Sequence, residues 1–170
     1  MKFTGWQKTW IRILTTILTL SIMLMIFFFS TEDAEQSDQR SGVITDFTIK
    51  LVRPDYSRLS TETQQQIYDD ISLIIRKCAH FTEYTLLGFF LRICLESWIG
   101  FRFGSMKPLS LTGFSVGALY ACTDELHQIM IDGRSGQFGD VLLDSCGVLL
   151  GVILAMLLIH RTQLQIKDGG

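Results

Sequence analysis

The chain has 170 residues, a length that favours a single domain, and 48% of them are hydrophobic. Only 19% are charged and the net charge is -2, which argues against intrinsic disorder and against a nucleic-acid partner. With a mean hydropathy of +0.31, the classes left are a small soluble core and an integral membrane protein.

The first apolar segment, residues 13–29, is a run of 17 residues without a charge. A bilayer core needs roughly 17–25 helical residues, so this run is long enough to cross it. Lys2, Lys8 and Arg12 precede the run, as basic residues do in a secretory signal peptide. No small-residue cleavage site follows, and signal cores are shorter, so we expect a retained membrane anchor.

Three further segments complete the predicted spans. Residues 108–123 and 145–159 carry no charge and reach spanning length if their polar ends lie at the interface. Residues 78–99 contain ionisable groups and are the weakest candidate by hydropathy. Lys and Arg residues mark the N-terminal tail, the connection 92–107 and the C-terminal tail, which should therefore share the cytoplasmic side. That arrangement requires four membrane spans, with both termini cytoplasmic.

The predicted fold is all-α: an integral membrane bundle of four transmembrane helices with an amphipathic extracytoplasmic segment between the first two. In that segment Ile44, Phe47 and Leu51 predict an amphipathic helix before Pro54, lying on the membrane surface or packed on the bundle. A second helix is expected from about Ser60 into the second span. The predicted divisions are 1–30 for the tail and first span, 31–76 for the outer loop, 76–160 for the core of three spans and 161–170 for the cytoplasmic tail.

Two predictions concern packing within these spans. The cysteines fall in or beside them, and we expect them to be small core residues: Cys78, Cys94, Cys122 and Cys146. Gly147 and Gly151 are four residues apart, a spacing that predicts close approach of another helix.

Polar residues recur at one depth in the last three spans. Lys77, His80 and Glu83 form one helical stripe, and Asp140 and Asp144 form another, one turn apart. In the predicted topology these stripes reach the extracytoplasmic end, where ionisable groups favour a bundle interior. They could also cap helices or pair at the interface. We predict a polar cavity there, with the candidate ligand-binding residues Lys77, His80, Glu83, Tyr84, Asp124, Glu125, His127, Gln128, Arg134, Asp140 and Asp144.

Two runs carry a resemblance to a known family: RKCAHFTEYTLLG at residues 76–88 and TDELHQIMIDGRSGQFGDVLLDSCGVLLG at residues 123–151. They contain, in order, K-x-x-H-x-x-E-Y, D-E-x-H-Q, G-R-S and D-x-x-x-D-x-x-G. In this pattern the chain resembles the VanZ-like family, small bacterial membrane proteins named for a component of glycopeptide resistance. The resemblance covers about half the chain, and the first span and outer loop carry no part of it. It implies a location in a bacterial plasma membrane and a link with reduced teicoplanin susceptibility, and it supplies no reaction.

We expect the lipid bilayer to be one partner of the protein, and two functions stay open. The first is binding or shielding of a lipid head group, a cell-wall precursor or a lipoglycopeptide. The second is an intramembrane enzyme acting on a lipid-linked envelope substrate, with Glu83 and Asp124 as acid and base and His80 or His127 as proton partner. Mixed metal ligands could come from His80, Glu83, Asp124, Glu125 and His127, but such pairs are common by chance and we expect no cofactor. A transporter is disfavoured because no broken helix or repeat is evident in the sequence.

Overall fold

The computed structural model describes residues 5–32, 34–100, 106–131 and 136–168, and every regular element in those ranges is helical. The α-helices are α1 (Gly5–Ser30), α2 (Ala34–Val52), α3 (Thr61–Leu95), α4 (Met106–Gln128) and α5 (Phe138–Asp168). A 3-10 turn at Tyr56–Arg58 precedes α3, and a π-helical turn at Glu96–Gly100 follows it. The predicted all-α class is confirmed.

The longest helix, α3, begins where the sequence predicts. Ser60 is its N-cap, with a side-chain oxygen that accepts a hydrogen bond from the Thr63 amide at 3.4 Å. Its 35 residues make a helix about 52 Å long. That length allows α2 to pack along its first half and α1 along its second half.

α1 runs antiparallel to α3 and belongs to the core. Near the start of α1, Arg12 donates a hydrogen bond to the main-chain carbonyl of Ser97, just beyond α3, at 2.9 Å. Near the other end, Ile26 is fully buried and packs with Tyr84 and Leu87 of α3. The predicted anchor is therefore an integral part of the folded bundle.

α3 and α5 run parallel and approach through glycines. A Cβ atom at Gly147 would lie 2.6 Å from the carbonyl oxygen of Phe81, and one at Gly151 would lie 2.0 Å from that of Thr85. A Cβ at Gly88 of α3 would lie 2.2 Å from a carbonyl oxygen of α5. The predicted close-packing face is confirmed, and it fixes the register in which polar side chains of the two helices meet.

α4 packs against both α3 and α5 and runs antiparallel to them. Ser110, near its start, accepts a hydrogen bond from Arg92 of α3 at 3.0 Å. About two turns further from that end, Gly117 packs against the Val148 side chain of α5. Since α1 and α4 share one direction and α3 and α5 the other, the ends of α1 and α4 meet the start of α5 at one end of the bundle.

α2 packs on α3 through small polar residues. Its buried face consists of Ser37, Ser41, Thr45 and Ile49. Asp38 pairs with Arg76 at 3.5 Å across this contact. The helix predicted before Pro54 is α2. Its apolar residues Ile44, Phe47 and Leu51 are 57%, 67% and 72% exposed, so they are not the face that packs on the bundle. Small side chains allow the two helix backbones to approach more closely than these large ones would.

The cysteines show a second departure from expectation. Cys78, Cys122 and Cys146 are exposed, Cys94 is half-buried, and all are free. The predicted core placement is therefore wrong for three of them. The closest helix contacts are made by glycine and alanine, such as Gly147 and fully buried Ala121, which leaves the cysteines on the outer surface.

Two helices of the described chain are long and apolar enough to cross a membrane: Lys8–Ser30 within α1 and Phe138–Gln163 within α5. Their outer faces expose large apolar side chains, among them Leu14, Leu20 and Leu157. A surface of this kind is suited to lipid or to another protein rather than to water.

Candidate functional site: a buried polar cluster

Three helices bring one histidine and two aspartates together at the end of the bundle where α4 finishes and α5 begins. His80 of α3 faces Asp144 of α5, with 3.8 Å between Nδ1 and Oδ2. Asp124 of α4 completes the group, and one ligand-type atom from each of the three lies within 4.8 Å of the others. The His80 side chain is 24% exposed, whereas Asp124 and Asp144 are only 5% and 2% exposed. The glycine contact one turn further along α5 holds α3 and α5 close enough for this meeting.

Two buried polar atoms at this cluster have no hydrogen-bond partner among the described residues. They are the Tyr84 hydroxyl and Oδ1 of Asp144. Tyr84 is fully buried, and its hydroxyl lies near the Asp124 carboxylate without reaching hydrogen-bond geometry. Gln128 donates to the other side of the cluster, with 3.1 Å between its Nε2 and Oδ2 of Asp124. Folded proteins pair most buried polar atoms, so these two have hydrogen-bonding capacity left for a water or a polar ligand.

Lys77 and Asp140 form a pair one turn outward from the cluster. The Lys77 ammonium donates to Oδ1 of Asp140, and the side chains are 38% and 30% exposed. A pair this exposed contributes little to stability. Because Asp140 neutralises the Lys77 charge, that charge does not compensate the deeper carboxylates of Asp124 and Asp144.

Glu83 lies half-buried beside the cluster, within electrostatic range of His80 and of Arg40 from α2. Arg40 lies over the Phe29 ring, 3.8 Å from its centroid, and pairs with Glu32 at 3.1 Å. The sequence carries no signal for Arg40 because its proximity depends on how α2 folds back beside α3.

Three other predicted residues lie away from the cluster centre or outside the described chain. Glu125 is 6% exposed and accepts a hydrogen bond from the Gln137 amide at 2.6 Å, which fastens the segment before α5. His127 faces α1 instead, stacked on Phe27 with 5.1 Å between ring centroids. Its Nε2 atom is buried and unpartnered among the described residues. Arg134 lies outside the described residues.

Acidic groups outnumber basic ones at this end of the described chain. The acids are Glu83, Asp124, Glu125, Asp140 and Asp144, and the basic side chains near them are Arg40, Lys77, His80 and His127, of which the two histidines are neutral in their unprotonated form. The excess negative charge favours a cationic or amine-bearing group. An imidazole held between carboxylates can also carry a proton.

An apolar groove of about 460 Å³ adjoins the polar cluster between α1 and α4. It is lined by Leu20, Met23, Leu24, Phe27 and Tyr120. The Tyr120 ring lies 6.4 Å from that of Tyr84, centroid to centroid, and Phe27 stacks on His127. The polar cluster and the apolar groove are thus neighbours, an arrangement that suits an amphiphilic molecule.

A separate polar contact lies toward the opposite end of the bundle. Arg92, which the topology prediction counted among the cytoplasmic bases, is fully buried. Its guanidinium donates to Glu96 at 2.9 Å and to Ser110 at 3.0 Å. The charge is therefore paired inside the bundle, which ties α3 to α4.

The fold and site define an all-helical protein with two membrane-capable helices and a buried polar cluster at one end of its bundle. The sequence model of the VanZ/LLP1 family matches residues 15–159, most of the chain. The chain belongs to this membrane-associated family. The match includes α2 and most of α1, so the view that the first span and outer loop carry no part of the resemblance is wrong. No curated protein and no solved structure matches the chain.

Proposed function

We propose that this protein is a multi-pass membrane protein with spans in α1, α3, α4 and α5 and with both termini in the cytoplasm. The alternating directions of these four helices support the proposal, since each crossing reverses the chain. The ionisable residues of α3 do not oppose it, because Arg92 is buried and paired with Glu96 inside the bundle. On this reading the polar cluster lies at the extracytoplasmic end.

Cysteine labelling tests this topology directly. In a cysteine-free background, Asp70→Cys on the first half of α3 is expected to react with a membrane-impermeant maleimide on intact cells. Thr162→Cys near the end of α5 is expected to react only after the cells are permeabilised. Both positions are exposed, so burial does not block labelling. Labelling of Thr162→Cys on intact cells would contradict cytoplasmic placement of the C-terminus.

We infer that the polar cluster binds the polar head group of an envelope lipid, a wall precursor or a lipoglycopeptide. The observation that carries this inference is the meeting of His80, Asp124 and Asp144 beside a buried Tyr84 hydroxyl that has no hydrogen-bond partner among the described residues. The adjoining apolar groove supports it, because an acyl chain can lie there while the head group reaches the cluster. The acidic excess favours a ligand that carries an amino group. Binding of this kind would lower susceptibility to teicoplanin-type antibiotics.

The test compares Glu83→Gln and Asp124→Asn with wild type in cells, at equal protein levels in the membrane. Asp70→Asn is the matched control, since it removes a carboxylate from the exposed first half of α3. Teicoplanin susceptibility is measured together with mass spectrometry of lipids and lipid-linked wall precursors. Graded loss of protection with unchanged lipid profiles supports binding. If both variants protect as wild type does, the polar cluster is structural.

An acid–base enzyme acting on a lipid-linked substrate is the second candidate. The observation that favours it is the imidazole of His80 lying 3.8 Å from a buried carboxylate of Asp144, a pairing that general acid–base catalysis uses. This second function predicts near-complete loss of the protein's activity in Glu83→Gln and Asp124→Asn. A lipid species that appears or disappears only with wild type would select the enzyme over the binding protein.

A further inference from the structure

The polar cluster has more negative charge than its described surroundings compensate. Asp124 and Asp144 are 5% and 2% exposed and face the single imidazole of His80. Gln128 donates to one oxygen of Asp124, and Lys77 is paired with Asp140. Burying two carboxylates is costly unless each is paired or bound to a metal. A divalent cation would supply the missing positive charge.

Open hydrogen-bonding capacity points independently to a ligand at this place. Oδ1 of Asp144 and the Tyr84 hydroxyl are buried without partners among the described residues. Tyr84 is fully buried, and its hydroxyl lies near both aspartates. Because it is not itself an acidic residue, its unused hydroxyl is evidence separate from the carboxylates. It could bond to a ligand or water carried by a cation.

The spacing of the three side chains is close to that of a metal centre. Ligand atoms around tetrahedral zinc, with bonds of about 2.0–2.1 Å, are roughly 3.3 Å apart. The 3.8 Å between His80 Nδ1 and Asp144 Oδ2 needs about 0.5 Å of closure to reach that value. Asp124, whose ligand atom lies within 4.8 Å of the other two, needs a closure of up to about 1.5 Å. One imidazole with two carboxylates suits zinc or manganese, and three protein ligands leave a position open for a further group.

We propose that His80, Asp124 and Asp144 bind one divalent cation, with zinc or manganese as the fitting metals. The open coordination position would accept a phosphate or carboxylate oxygen of the head group, and Glu83 beside the cluster would remain available for an amino group of the same ligand. The inference rests on the site of the proposed function and adds a cation to it. The possible metal ligands suggested by the sequence include His80 and Asp124 but not Asp144, because Asp144 lies 64 positions from His80 and only the parallel packing of α3 and α5 brings them together.

The test measures metal binding by the full chain, purified in detergent with an affinity tag that contains no histidine. After treatment with a chelator, the protein is titrated with Zn²⁺ and, separately, Mn²⁺ by calorimetry, and bound metal is counted by elemental mass spectrometry. Wild type is expected to bind one equivalent of one of these metals. His80→Gln and Asp124→Asn are each expected to weaken binding at least tenfold, while Asp70→Asn binds as wild type does.

Two further results decide the matter. No metal uptake by wild type, or wild-type affinity in His80→Gln, would overturn the proposal. If Asp124→Asn does not fold, His80→Gln alone tests the proposal. The His80 side chain is the least buried of the three, so replacing it disturbs the fold least. Glu83→Gln separates this proposal from the previous one, since it is expected to lose protection against teicoplanin but to keep the metal. Metal binding by wild type, together with wild-type protection in both Glu83→Gln and Asp124→Asn cells, would leave the cation site standing and refute the proposed function.

Discussion

Replacing Gly151 with alanine tests whether the contact between α3 and α5 holds the bundle together. The new Cβ would lie 2.0 Å from the Thr85 carbonyl oxygen and 2.6 Å from the Phe89 amide nitrogen. Real Cβ atoms essentially never come closer than 3.0 Å to such neighbours. Both are main-chain atoms, which cannot rotate away as the end of a side chain can. The two helices must therefore separate locally by about 1 Å, the difference between 3.0 and 2.0 Å.

The magnitude follows from that displacement. A gap of 0.5–1 Å loses about a quarter to a half of the dispersion attraction between packed atoms. Overpacking of an interior costs about 1–3 kcal/mol, and we expect the upper end here because main chain is involved. The higher helix propensity of alanine offsets up to about 1 kcal/mol. The remaining loss of about 2 kcal/mol in the free energy of unfolding corresponds to a fall in Tm of roughly 4–8 °C.

Gly139→Ala provides a matched control on the same helix. A Cβ at that position meets nothing within 4 Å, so the variant adds the same methyl group to open space. Thermal unfolding of both variants is followed by far-UV circular dichroism in one detergent. If Gly151→Ala unfolds at the same temperature as Gly139→Ala, or at a higher one, the close contact does not stabilise the bundle and the reasoning is refuted.

Three further predictions concern hydrogen bonds and charges elsewhere in the fold. Tyr120→Phe removes a 2.6 Å hydrogen bond to a carbonyl of α1 and should lower the free energy of unfolding by about 1 kcal/mol. Tyr84→Phe removes a hydroxyl without a described partner and should leave that free energy unchanged. Equal changes in Tm for the two variants would contradict this account. Glu96→Gln leaves the buried Arg92 charge uncompensated, so the free energy of unfolding measured in urea should fall by about 3 kcal/mol. Replacing both residues with methionine should restore it. Wild-type stability of the single variant would show that the pair is not needed. Ser60→Ala removes the N-cap hydrogen bond of α3, so it should lower the free energy of unfolding by about 0.5–1 kcal/mol and speed amide exchange in the first turn of that helix. Unchanged amide exchange would show that this cap is not needed.

Much of the helical layout could be read from local patterns. The start of α3 near Ser60 follows from a capping residue ahead of a periodic apolar face, which are properties of neighbouring residues. The close approach at Gly147 and Gly151 follows from their spacing, since both lie on one side of a helix without a side chain. The burial of Asp144 was less predictable, because its depth depends on how closely α3 and α4 cover it.

The partners of the site residues could not be read in the same way. Asp124 and His127 are three residues apart, so their directions differ by about 60° around α4. That small angle sends Asp124 toward α3 and α5 and lets His127 stack on Phe27 of α1. Two residues that the sequence analysis places in one polar cavity therefore face different neighbouring helices. The position of Arg40 near Glu83 could not be predicted from the sequence either, because it depends on how α2 packs against α3.

The sequence by itself determined that the chain is helical, which segments are apolar enough for a membrane, and that polar residues recur near the ends of three helices. These properties depend on the order of residues along one helix, where geometry is regular. Tertiary structure decided that Ser and Thr rather than Phe47 and Leu51 face the core from α2. It also decided that His80 meets Asp124 and Asp144. Those outcomes depend on the rotation and separation of packed helices, which small-residue contacts such as Gly151 against Thr85 set.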